Sequence, residues 1–231
     1  MSARLVVVTG GAGGIGRAVA ARFEAAGDRV LAPGRDECDV TDEDSVAAFF
    51  DGAGPVDVLV NNAGTASSAP LERTTLTAWR ESLDVNATGA FLCTRAVVAG
   101  MRSRGAGAIV TVASVAGRTG APYTAAYTAG KHAAVGLMRA AAAELAGSGV
   151  TCNAVCPAFV DTAMTDRSVA TIVSRTGREE AAARGALERM SPLGRLLDPG
   201  EVAAAVAWLA SPDAAAINGQ TLVLDGGGIQ A

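Results

Sequence analysis

The amino-acid sequence predicts a single doubly wound α/β domain with a mainly seven-stranded parallel sheet. Three observations support this prediction. Short apolar runs and helical stretches alternate along the whole chain, and no repeat, linker or low-complexity segment interrupts them. The apolar runs show little polar alternation, as expected for strands that are buried on both faces. A glycine-rich turn also follows directly after the first of these runs.

Composition and charge limit the partners of the chain. Its 231 residues are 50% hydrophobic and 18% charged, so the chain can bury one full core. The formal net charge of -4, with arginines scattered along the sequence, argues against a nucleic-acid or anionic membrane partner. No apolar stretch reaches the roughly 20 residues of a membrane-spanning helix, and the first residues run into a strand pattern instead of a signal sequence. We therefore expect a cytoplasmic protein.

The cysteine and histidine content argues against two catalytic chemistries. Four cysteines lack paired CxxC spacing, and we interpret them as reduced thiols, mostly buried. His132 is the only histidine, so a Ser-His-Asp triad or an HExxH zinc site would have to be built on that one residue. The sequence therefore predicts no metal site. We interpret His132 as a helix-surface or subunit-contact residue.

The first predicted strand, residues 3–8, leads directly into the glycine-rich turn TGGAGGIG at residues 9–16. A helical pattern follows from Ile15 to Ala26, which gives the strand-turn-helix order of a nucleotide-binding unit. Glycines let the backbone approach a pyrophosphate closely, and the helix N-terminus offers unpaired N–H groups to it. The alternative is a merely flexible turn. The candidate cofactor-binding residues of this turn are Gly10, Gly14, Ile15 and Gly16.

The second predicted strand, residues 29–32, ends in the tripeptide PGR, which places Arg35 just after it. In nucleotide-binding units an acidic residue at this place binds the adenosine ribose of NAD, and a basic residue accommodates the 2′-phosphate of NADP. Because Arg35 is available and no carboxylate takes the place, the sequence favours NADP(H), with NAD(H) as the alternative. An ion pair of Arg35 with Asp36 or Glu37 would weaken this preference.

A short third strand is predicted at residues 37–40, ECDV, too close to the second strand for a crossover helix between them. The adenosine side of the cofactor site is therefore predicted to be thin and open. Asp39 is a candidate cofactor-binding residue, because its carboxylate could accept a hydrogen bond from the adenine amino group. Thr41 is the predicted N-cap of a helix that runs through Phe50.

Another buried strand is predicted at residues 56–60, and it ends in NNAG, whose small residues would let the chain pass close to a bound ribose. A long helical stretch follows from about Leu76 to Arg104. Asn86 in its middle is unfavourable by helix propensity, which predicts a polar task such as holding a water molecule or a backbone carbonyl. The candidate cofactor-binding residues of NNAG are Asn62, Ala63 and Gly64.

Ser114, Tyr127 and Lys131 are the strongest candidates for chemistry. The strand at residues 108–112 ends at Ser114, on the carboxyl edge of the predicted sheet, where ligands bind in open α/β folds. Tyr127 and Lys131 share one helix face, and Lys131 is the only lysine among 19 basic residues. A nearby ammonium lowers the pKa of a phenol, so we predict that Lys131 activates Tyr127. Tyr123 lacks such a cation, and a solvated helix pair is the alternative for an isolated YxxxK.

Residues 150–155 form the next predicted strand, and the segment PAFVDT follows it. The backbone of Val160 and the hydroxyl of Thr162 are candidates to hold a carboxamide of the cofactor. The segment 164–190 combines mixed polarity with two glycines, which predicts a mobile lid over the substrate. Asp198 begins the last predicted helix, and QTLVLDGG contains the last predicted strand.

Taken together, these motifs resemble the short-chain dehydrogenase/reductase family, and the likeness covers essentially the whole chain. The resemblance implies a Rossmann-like fold of seven parallel strands, a nicotinamide cofactor and a homotetramer. The chain departs from the family at Ala158, where glycine usually follows the proline, and in its nearly deleted crossover between the second and third strands. The motifs that support the resemblance are TGGAGGIG, NNAG, Asn86, Ser114, YTAGK at residues 127–131 and CPAFVDT at residues 156–162.

The same resemblance implies the reaction and its residues. A small-molecule ketone and the corresponding secondary alcohol would be interconverted by hydride transfer, with Ser114 and Tyr127 binding the oxygen and Tyr127 donating the proton. Lys131 would lower the pKa of Tyr127 and bind the nicotinamide ribose. Asn86 would position a water molecule of a proton relay. The implied catalytic residues are Asn86, Ser114, Tyr127 and Lys131.

The substrate is predicted less specifically than the reaction. The stretches VTCNAVCPAFVDTAM and SPLGRLLDPGEVA are similar to 3-oxoacyl-thioester and polyketide ketoreductases, which favours a thioester of an acyl carrier protein or of CoA. The alternative substrate is a small secondary alcohol or other hydroxy compound, and a non-catalytic nucleotide-binding protein is a third interpretation. An acyl carrier protein would require a basic patch at the entrance to the site. The alternative for most of the candidate arginines is that they are ordinary solvated side chains. These candidates are Arg102, Arg104, Arg139, Arg167, Arg175 and Arg178.

Overall fold

The computed structural model describes residues 3–230, which contain six strands in one parallel sheet. The strands are β1 (Leu5–Val8), β2 (Arg29–Leu31), β3 (Val58–Asn61), β4 (Gly107–Val112), β5 (Val150–Pro157) and β6 (Thr221–Leu224). Their order across the sheet is β2-β1-β3-β4-β5-β6, and every neighbouring pair is parallel. The predicted parallel α/β fold is confirmed.

Eight α-helices connect these strands in the described part of the chain. They are α1 (Gly14–Ala25), α2 (Glu43–Ala53), α3 (Leu76–Leu83), α4 (Gly89–Arg104), α5 (Ala125–Glu144), α6 (Ala163–Thr176), α7 (Glu180–Glu188) and α8 (Pro199–Leu209). One face of the sheet packs against α2, α4 and α5, and the other packs against α1 and α8, as a doubly wound fold requires. Among residues 3–230, no helix combines the length and the apolar character needed to cross a membrane.

The strands read as continuous apolar runs because both of their faces are covered. In β1, Leu5 and Val7 belong to the core on the α5 side, whereas Val6 and Val8 belong to the core on the α1 side. All of these side chains are buried. Full burial of a valine or leucine stabilises the fold by about 1.5–3 kcal/mol relative to exposure, so neither face tolerates polar alternation.

The prediction of seven strands is wrong by one. Residues 37–40 form no strand, because the N–H groups of Glu37 and Cys38 donate to the Gly34 carbonyl at 3.2 and 3.0 Å and close a tight turn just after β2. A further parallel strand beside β2 needs a crossover of about a dozen residues or more, and the chain reaches α2 before that length is available. Within the described residues, β2 is therefore an edge of the sheet.

The segment that replaces the crossover is short but anchored. Cys38 and Val40 are buried in the core on the α4 side of the sheet. A Cβ placed on Gly89, the first residue of α4, would come within 2.7 Å of the Val40 side chain, so this close packing requires glycine. The Asp39 N–H donates to Ser45 Oγ at 3.0 Å, which fixes the backbone between the two buried side chains.

The predicted N-cap of α2 is wrong by one residue. The Asp42 carboxylate caps the helix by accepting from the N–H groups of Asp44 and Ser45 at 2.9 and 3.3 Å. Thr41 instead donates its hydroxyl to the Asp39 carboxylate at 2.7 Å. Both residues are common N-caps, so sequence pattern alone did not separate them.

The predicted helix from Leu76 to Arg104 is divided into α3 and α4 by a wider π-helical turn, Asp84–Thr88. This turn contains Asn86, and such turns are frequent at functional sites. The following helix α5 begins at Ala125, so Tyr127 lies in its first turn.

Helices α6 and α7 form a small core of their own beyond β5. Val169 of α6 packs with Leu187 of α7 in a cluster that is separate from the two clusters beside the sheet. Arg184 of α7 forms an ion pair with Asp166 of α6 at 2.8 Å. The lid predicted at 164–190 corresponds to this helix pair, and its movement stays a prediction.

Candidate active site

The glycine-rich turn forms an uncapped helix start. Helix α1 has Gly13 as its N-cap, and no side chain accepts a hydrogen bond there. The first N–H groups of a helix have no partner inside it and attract anions. These groups belong to Gly14, Ile15 and Gly16, and a Cβ placed on Gly13 would meet no atom within 4 Å. Open space in front of unpaired N–H groups fits the pyrophosphate of a dinucleotide.

The turn is locked onto the NNAG segment by side chains and by close packing. The Asn62 amide donates to the carbonyl oxygens of Thr9 and Gly10 at 2.9 and 3.1 Å. The Thr9 hydroxyl accepts from the N–H groups of Asn62 and Ala63, both at 3.1 Å. A Cβ on Gly10 would come within 2.9 Å of Ala63 Cα, and one on Gly16 within 2.5 Å of the Asn62 amide nitrogen. These contacts give Asn62 a structural role beside its predicted ribose contact, and they add Thr9, which the sequence analysis missed.

Ser114 and Tyr127 meet at the carboxyl edge of the sheet. Ser114 lies just beyond β4, is buried, and accepts a hydrogen bond from the Ala116 N–H at 3.1 Å. Its hydroxyl forms a hydrogen bond with the hydroxyl of Tyr127, which reaches Ser114 from the first turn of α5. The two hydroxyls that the sequence analysis assigned to one substrate oxygen are therefore in contact.

Lys131 lies one helical turn below Tyr127 and is also buried. Its Nζ lies 5.9 Å from the centre of the Tyr127 ring and donates to the Val112 carbonyl at 2.9 Å. Burial lowers the pKa of Lys131 to about 8, and the nearby Cys156 thiol opposes that shift. An ammonium has three donors, so this group can bind a further oxygen acceptor while it keeps its bond to Val112.

That Lys131 lowers the pKa of Tyr127 stays a prediction. Burial raises the pKa of Tyr127 above its ordinary value, and the hydrogen bond from Ser114 offsets part of that rise. Lys131 donates to a backbone carbonyl rather than to the phenol, and it has lost much of its own affinity for a proton.

Asn86 holds a backbone segment, as its mid-helix position predicted. Its amide nitrogen donates to the carbonyls of Thr65 and Ser82, both at 2.9 Å. Its amide oxygen accepts from the Thr65 N–H at 3.3 Å. The side chain thus pairs with both backbone groups of Thr65, the residue that follows NNAG. Its predicted water molecule stays a prediction.

Two glycines bring Asn86 and Lys131 to the same place. A Cβ on Gly64 would lie 3.0 Å from the Asn86 amide oxygen and 3.3 Å from Lys131 Nζ, so both polar groups flank this glycine. A Cβ on Gly130 would lie 3.0 Å from the Ser82 carbonyl and 3.2 Å from Asn86 Cβ. Gly130 therefore lets α5 pack closely against the π-helical turn. The sequence analysis assigned no role to Gly130, although its place inside YTAGK was the available signal.

Cys156 is a further residue of this site that the sequence analysis treated only as a buried thiol. It is fully buried near the end of β5, and its sulfur accepts the Ser114 backbone N–H. Burial raises the pKa of this thiol. A neutral sulfur in this position supports the backbone that carries Ser114.

Arg35 and Asp39 form an ion pair at the other end of the turn. Arg35 Nε lies 3.0 Å from Asp39 Oδ2, and the Arg35 side chain is 79% exposed. Neither Asp36 nor Glu37, the predicted competitors, is its partner; the Glu37 carboxylate accepts from the Gly34 N–H at 2.9 Å. Hydrogen bonds from Thr41 and then the bond from Arg35 hold the pKa of Asp39 below its ordinary value. The two predicted adenosine-binding residues are thus brought together.

Val160 and Thr162 lie between β5 and α6, opposite the glycine-rich turn. The Val160 carbonyl accepts from the Thr165 hydroxyl at 2.6 Å, and Thr162 is the N-cap residue of α6. A Cβ on Gly14 would come within 3.3 Å of the Thr162 methyl group, which places Thr162 beside the proposed pyrophosphate site. Among the described residues, Tyr123 is the one non-glycine residue with positive φ, so the Ala158 backbone does not require glycine.

The candidate arginines do not form one patch. Arg102 pairs with Glu144 at 3.2 Å, and Arg104 lies 3.9 Å from Asp57. The remaining four are exposed, and three of them belong to α6 and the residues just after it. These four are Arg139, Arg167, Arg175 and Arg178.

Comparisons with known proteins agree with this geometry. A family model described as enoyl-(acyl carrier protein) reductase matches residues 34–228. The chain is 38% identical to 3beta-hydroxysteroid dehydrogenase of Mediterraneibacter gnavus, over 97% of this chain and 94% of the relative. It is 37% identical to acetoacetyl-CoA reductase of Rhizobium meliloti, over 97% and 98% of the two chains.

A solved structure adds a similarity in three dimensions. A variant of actinorhodin polyketide ketoreductase, crystallised with NADPH, superposes with a TM-score of 0.90 at 33% identity, and 97% of each chain is covered. The family match, the identities and this superposition all extend over most of the chain. The chain therefore belongs to the short-chain dehydrogenase/reductase family of oxidoreductases.

Proposed function

We propose that this chain interconverts a ketone and a secondary alcohol by hydride transfer with NADP(H), with NAD(H) as the alternative cofactor. The observation that supports this most directly is the contact between Ser114 and Tyr127 beside the only lysine, Lys131, at the carboxyl edge of the sheet. A purely nucleotide-binding protein has no need for two hydroxyls in contact and a buried ammonium next to them.

The described residues fit a nicotinamide dinucleotide along one line. The first turn of α1 would hold the pyrophosphate, and Arg35 and Asp39 would hold the adenosine end. The backbone of Asn62, Ala63 and Gly64 would lie close to a ribose of the cofactor. Lys131 would bind the hydroxyls of the nicotinamide ribose. Val160 and Thr162 would hold the carboxamide. The bound cofactor supplies or accepts the hydride.

The place of Tyr127 beside Ser114 suits it to act as the proton donor. During reduction, negative charge develops on the substrate oxygen, and Ser114 and Tyr127 would donate hydrogen bonds to it. The Tyr127 phenol would then pass its proton to that oxygen, because an alkoxide is a far stronger base than a phenolate. Lys131 would stabilise the resulting phenolate by its positive charge. Asn86 would hold the Thr65 backbone that borders the site.

Arg35 supports the preference for NADP(H). Its guanidinium is largely exposed, and an exposed ion pair contributes only about 0–1 kcal/mol to stability, so a 2′-phosphate can replace Asp39 at low cost. The structural relative crystallised with NADPH agrees with this preference.

For the substrate we propose a 3-oxoacyl thioester of CoA or of an acyl carrier protein, with a small secondary alcohol as the alternative. The relatives include a thioester reductase and a hydroxysteroid dehydrogenase at nearly equal identity, 37% and 38%, so identity alone does not choose. The exposed arginines on and after α6 fit an acidic carrier better than a neutral alcohol. The lid movement of 164–190, a cytoplasmic location and a homotetramer belong to this proposal as well.

The test measures initial rates of NADPH and, separately, NADH oxidation with acetoacetyl-CoA and with a panel of small ketones. We expect turnover of at least one carbonyl substrate and a loss of roughly 10²–10⁴-fold in kcat for Tyr127→Phe, since this change removes the proton donor. Binding of NADPH, followed by its fluorescence, serves as the control that the variant is folded.

Full activity of Tyr127→Phe with any accepted ketone would refute this mechanism. Activity on a small ketone or an alcohol without activity on the thioester would move the substrate to the alternative class. NADPH binding without turnover of any carbonyl compound or alcohol would instead favour a non-catalytic nucleotide-binding protein.

A further inference from the structure

Tyr123 has an unusual backbone conformation. Its φ is 68°, and it is the one non-glycine residue with positive φ among those that the structure describes. This region is unfavourable for a bulky L-residue, and such residues cluster at functional sites. The turn is held on both sides: the Tyr123 carbonyl accepts from the Ala69 N–H at 2.8 Å, and the Thr124 hydroxyl donates to the Ala121 carbonyl at 2.9 Å.

The ring of Tyr123 is exposed although its backbone is strained. Tyr123 is 64% exposed, in a chain with only two tyrosines. The other tyrosine is the proposed proton donor, four residues later. An exposed ring contributes little to the core, so folding alone gives no reason to keep a large side chain in a conformation that suits glycine.

Two shallow clefts border this ring. One has a volume of about 290 Å³ and the other of about 180 Å³, and Tyr123, Ala69 and Ala125 line both. The larger cleft is otherwise lined by Leu71, by small residues of the turn before Tyr123, and by Thr128. None of the four proposed catalytic residues lines either cleft. The smaller cleft also contains polar residues such as Ser67 and Arg73, so the larger, mainly apolar cleft is the one that suits an apolar part of a ligand remote from the reacting atoms.

Both clefts are bordered by two loops that are connected to the proposed catalytic residues. The loop at 65–71 begins at Thr65, whose two backbone groups pair with the Asn86 side chain. The turn that carries Tyr123 belongs to the segment that runs from Ser114 to Tyr127. The hydrogen bond from Ala69 to Tyr123 joins the two loops into one wall.

We propose that Tyr123 determines substrate specificity, because its ring is the surface on which the apolar part of the substrate, remote from the carbonyl, packs. This inference rests on the proposed function. The small residues beside the ring leave room for an aliphatic chain, and the strained turn presents the ring to that chain instead of to the core. Each methylene that leaves water strengthens binding by roughly fourfold at most.

The test uses the straight-chain methyl ketones from butan-2-one to decan-2-one. Calorimetry measures the affinity of each ketone for the enzyme loaded with NADP⁺. Initial rates with NADPH give KM and kcat for the same ketones. We expect affinity to increase with chain length in the unaltered protein. Tyr123→Ala should reduce this dependence and weaken binding of the longest ketone by roughly tenfold. Tyr123→Phe should restore the dependence, because the ring and not its hydroxyl makes the contact.

Two further variants separate the ring from its backbone and from unrelated surface effects. Tyr123→Gly removes both the ring and the strain, so we expect the kinetic loss of Tyr123→Ala together with a melting temperature about 2 °C higher than that variant. Trp208→Ala removes an exposed aromatic side chain from α8, on the other face of the sheet, and should leave the chain-length dependence as it is.

The outcomes distinguish this inference from the proposed function. Turnover of ketones with an unchanged chain-length dependence in Tyr123→Ala would overturn the role of Tyr123 and leave the function standing. Chain-length-dependent binding without turnover would support Tyr123 and refute the reaction. Recovery of binding in Tyr123→Gly, or a change of molecular mass in solution for Tyr123→Ala, would overturn the inference in favour of backbone strain or of contact with a second copy.

Discussion

Asn86 and Arg35 lie at opposite ends of the proposed cofactor site, and they are held in different ways. Asn86 is 2% exposed, and its amide pairs with the backbone of Thr65 and Ser82. The Arg35 side chain is 79% exposed and has an ion pair with Asp39. Buried hydrogen bonds are costly to break, whereas exposed ion pairs exchange with water at little cost.

This difference indicates which end of the site tolerates change. The catalytic end combines side chains from two connections, after β3 and after β4, so a small shift of either one would separate the reacting groups. The adenosine end lost its crossover, yet Cys38 and Val40 still fill the core beneath it. A fold can therefore shorten its adenosine side while the geometry of the chemistry is kept.

The largest effect is expected at the catalytic end, for Lys131→Met. Loss of the ammonium should lower kcat by roughly 10³-fold, because no charge then stabilises the phenolate of Tyr127 or binds the ribose. The same variant should make the cofactor-free protein more stable at pH 7. Burial lowers the pKa of Lys131 to about 8, from an ordinary value of 10.5, so burying the ammonium costs up to about 3 kcal/mol below pH 8.

The pH dependence gives the sign of this effect. Between about pH 8 and 10.5 the unfolded chain binds more protons at Lys131 than the native protein does, so the stability of the unaltered protein rises with pH in that window. Urea unfolding at pH 7 and pH 10 should therefore show a gain for Lys131→Met that shrinks at the higher pH. A gain of equal size at both values would show that the buried charge is not its cause.

A smaller effect is expected at the adenosine end, for Arg35→Ala. Loss of a charge-assisted contact should raise the KM for NADPH by roughly 10–100-fold and change the KM for NADH by less than about twofold. Arg22→Ala, which removes an exposed arginine from the last turn of α1, is the matched control for net charge. Equal losses for both cofactors would exclude Arg35 as the residue that reads the 2′-phosphate.

The smallest effect is expected for Ala158→Gly, which restores the usual family residue. The Ala158 backbone has no positive φ, so glycine gains nothing there and adds freedom to the unfolded chain. Thermal unfolding should show a loss of about 0.4–1 kcal/mol, and kcat should stay the same. A rise in kcat would mean that the alanine methyl group presses on the cofactor.

Local sequence patterns predicted the sheet and its helices well. They failed where the number of residues between two elements determines whether a strand can form. The segment ECDV alternates charged residues with the buried Cys38 and Val40, as a strand can, but the chain is too short there for a crossover and 37–40 stays out of the sheet. The same limit applies to α2, where Thr41 and Asp42 are both good N-caps and the hydrogen bond from Thr41 to Asp39 decides between them. The π-helical turn around Asn86 left no sequence signal beyond the asparagine itself.

The candidate site was predicted by residue type, but not by all of its contacts. Asn86, Ser114, Tyr127 and Lys131 lie together, but the sequence did not show that burial raises the pKa of Tyr127 or that Lys131 donates to the Val112 carbonyl. The roles of Thr9, Gly130 and Cys156 depend on close approaches between distant segments. Such approaches are properties of the packed structure, and no local pattern contains them.

The single lysine has a consequence for chemical labelling. Lys131 is 5% exposed, and no other lysine occurs in the chain. A reagent that acylates lysine amines therefore reports on this one side chain, and signals from surface lysines cannot obscure it. Because Lys131 would bind the nicotinamide ribose, bound NADPH should slow the modification.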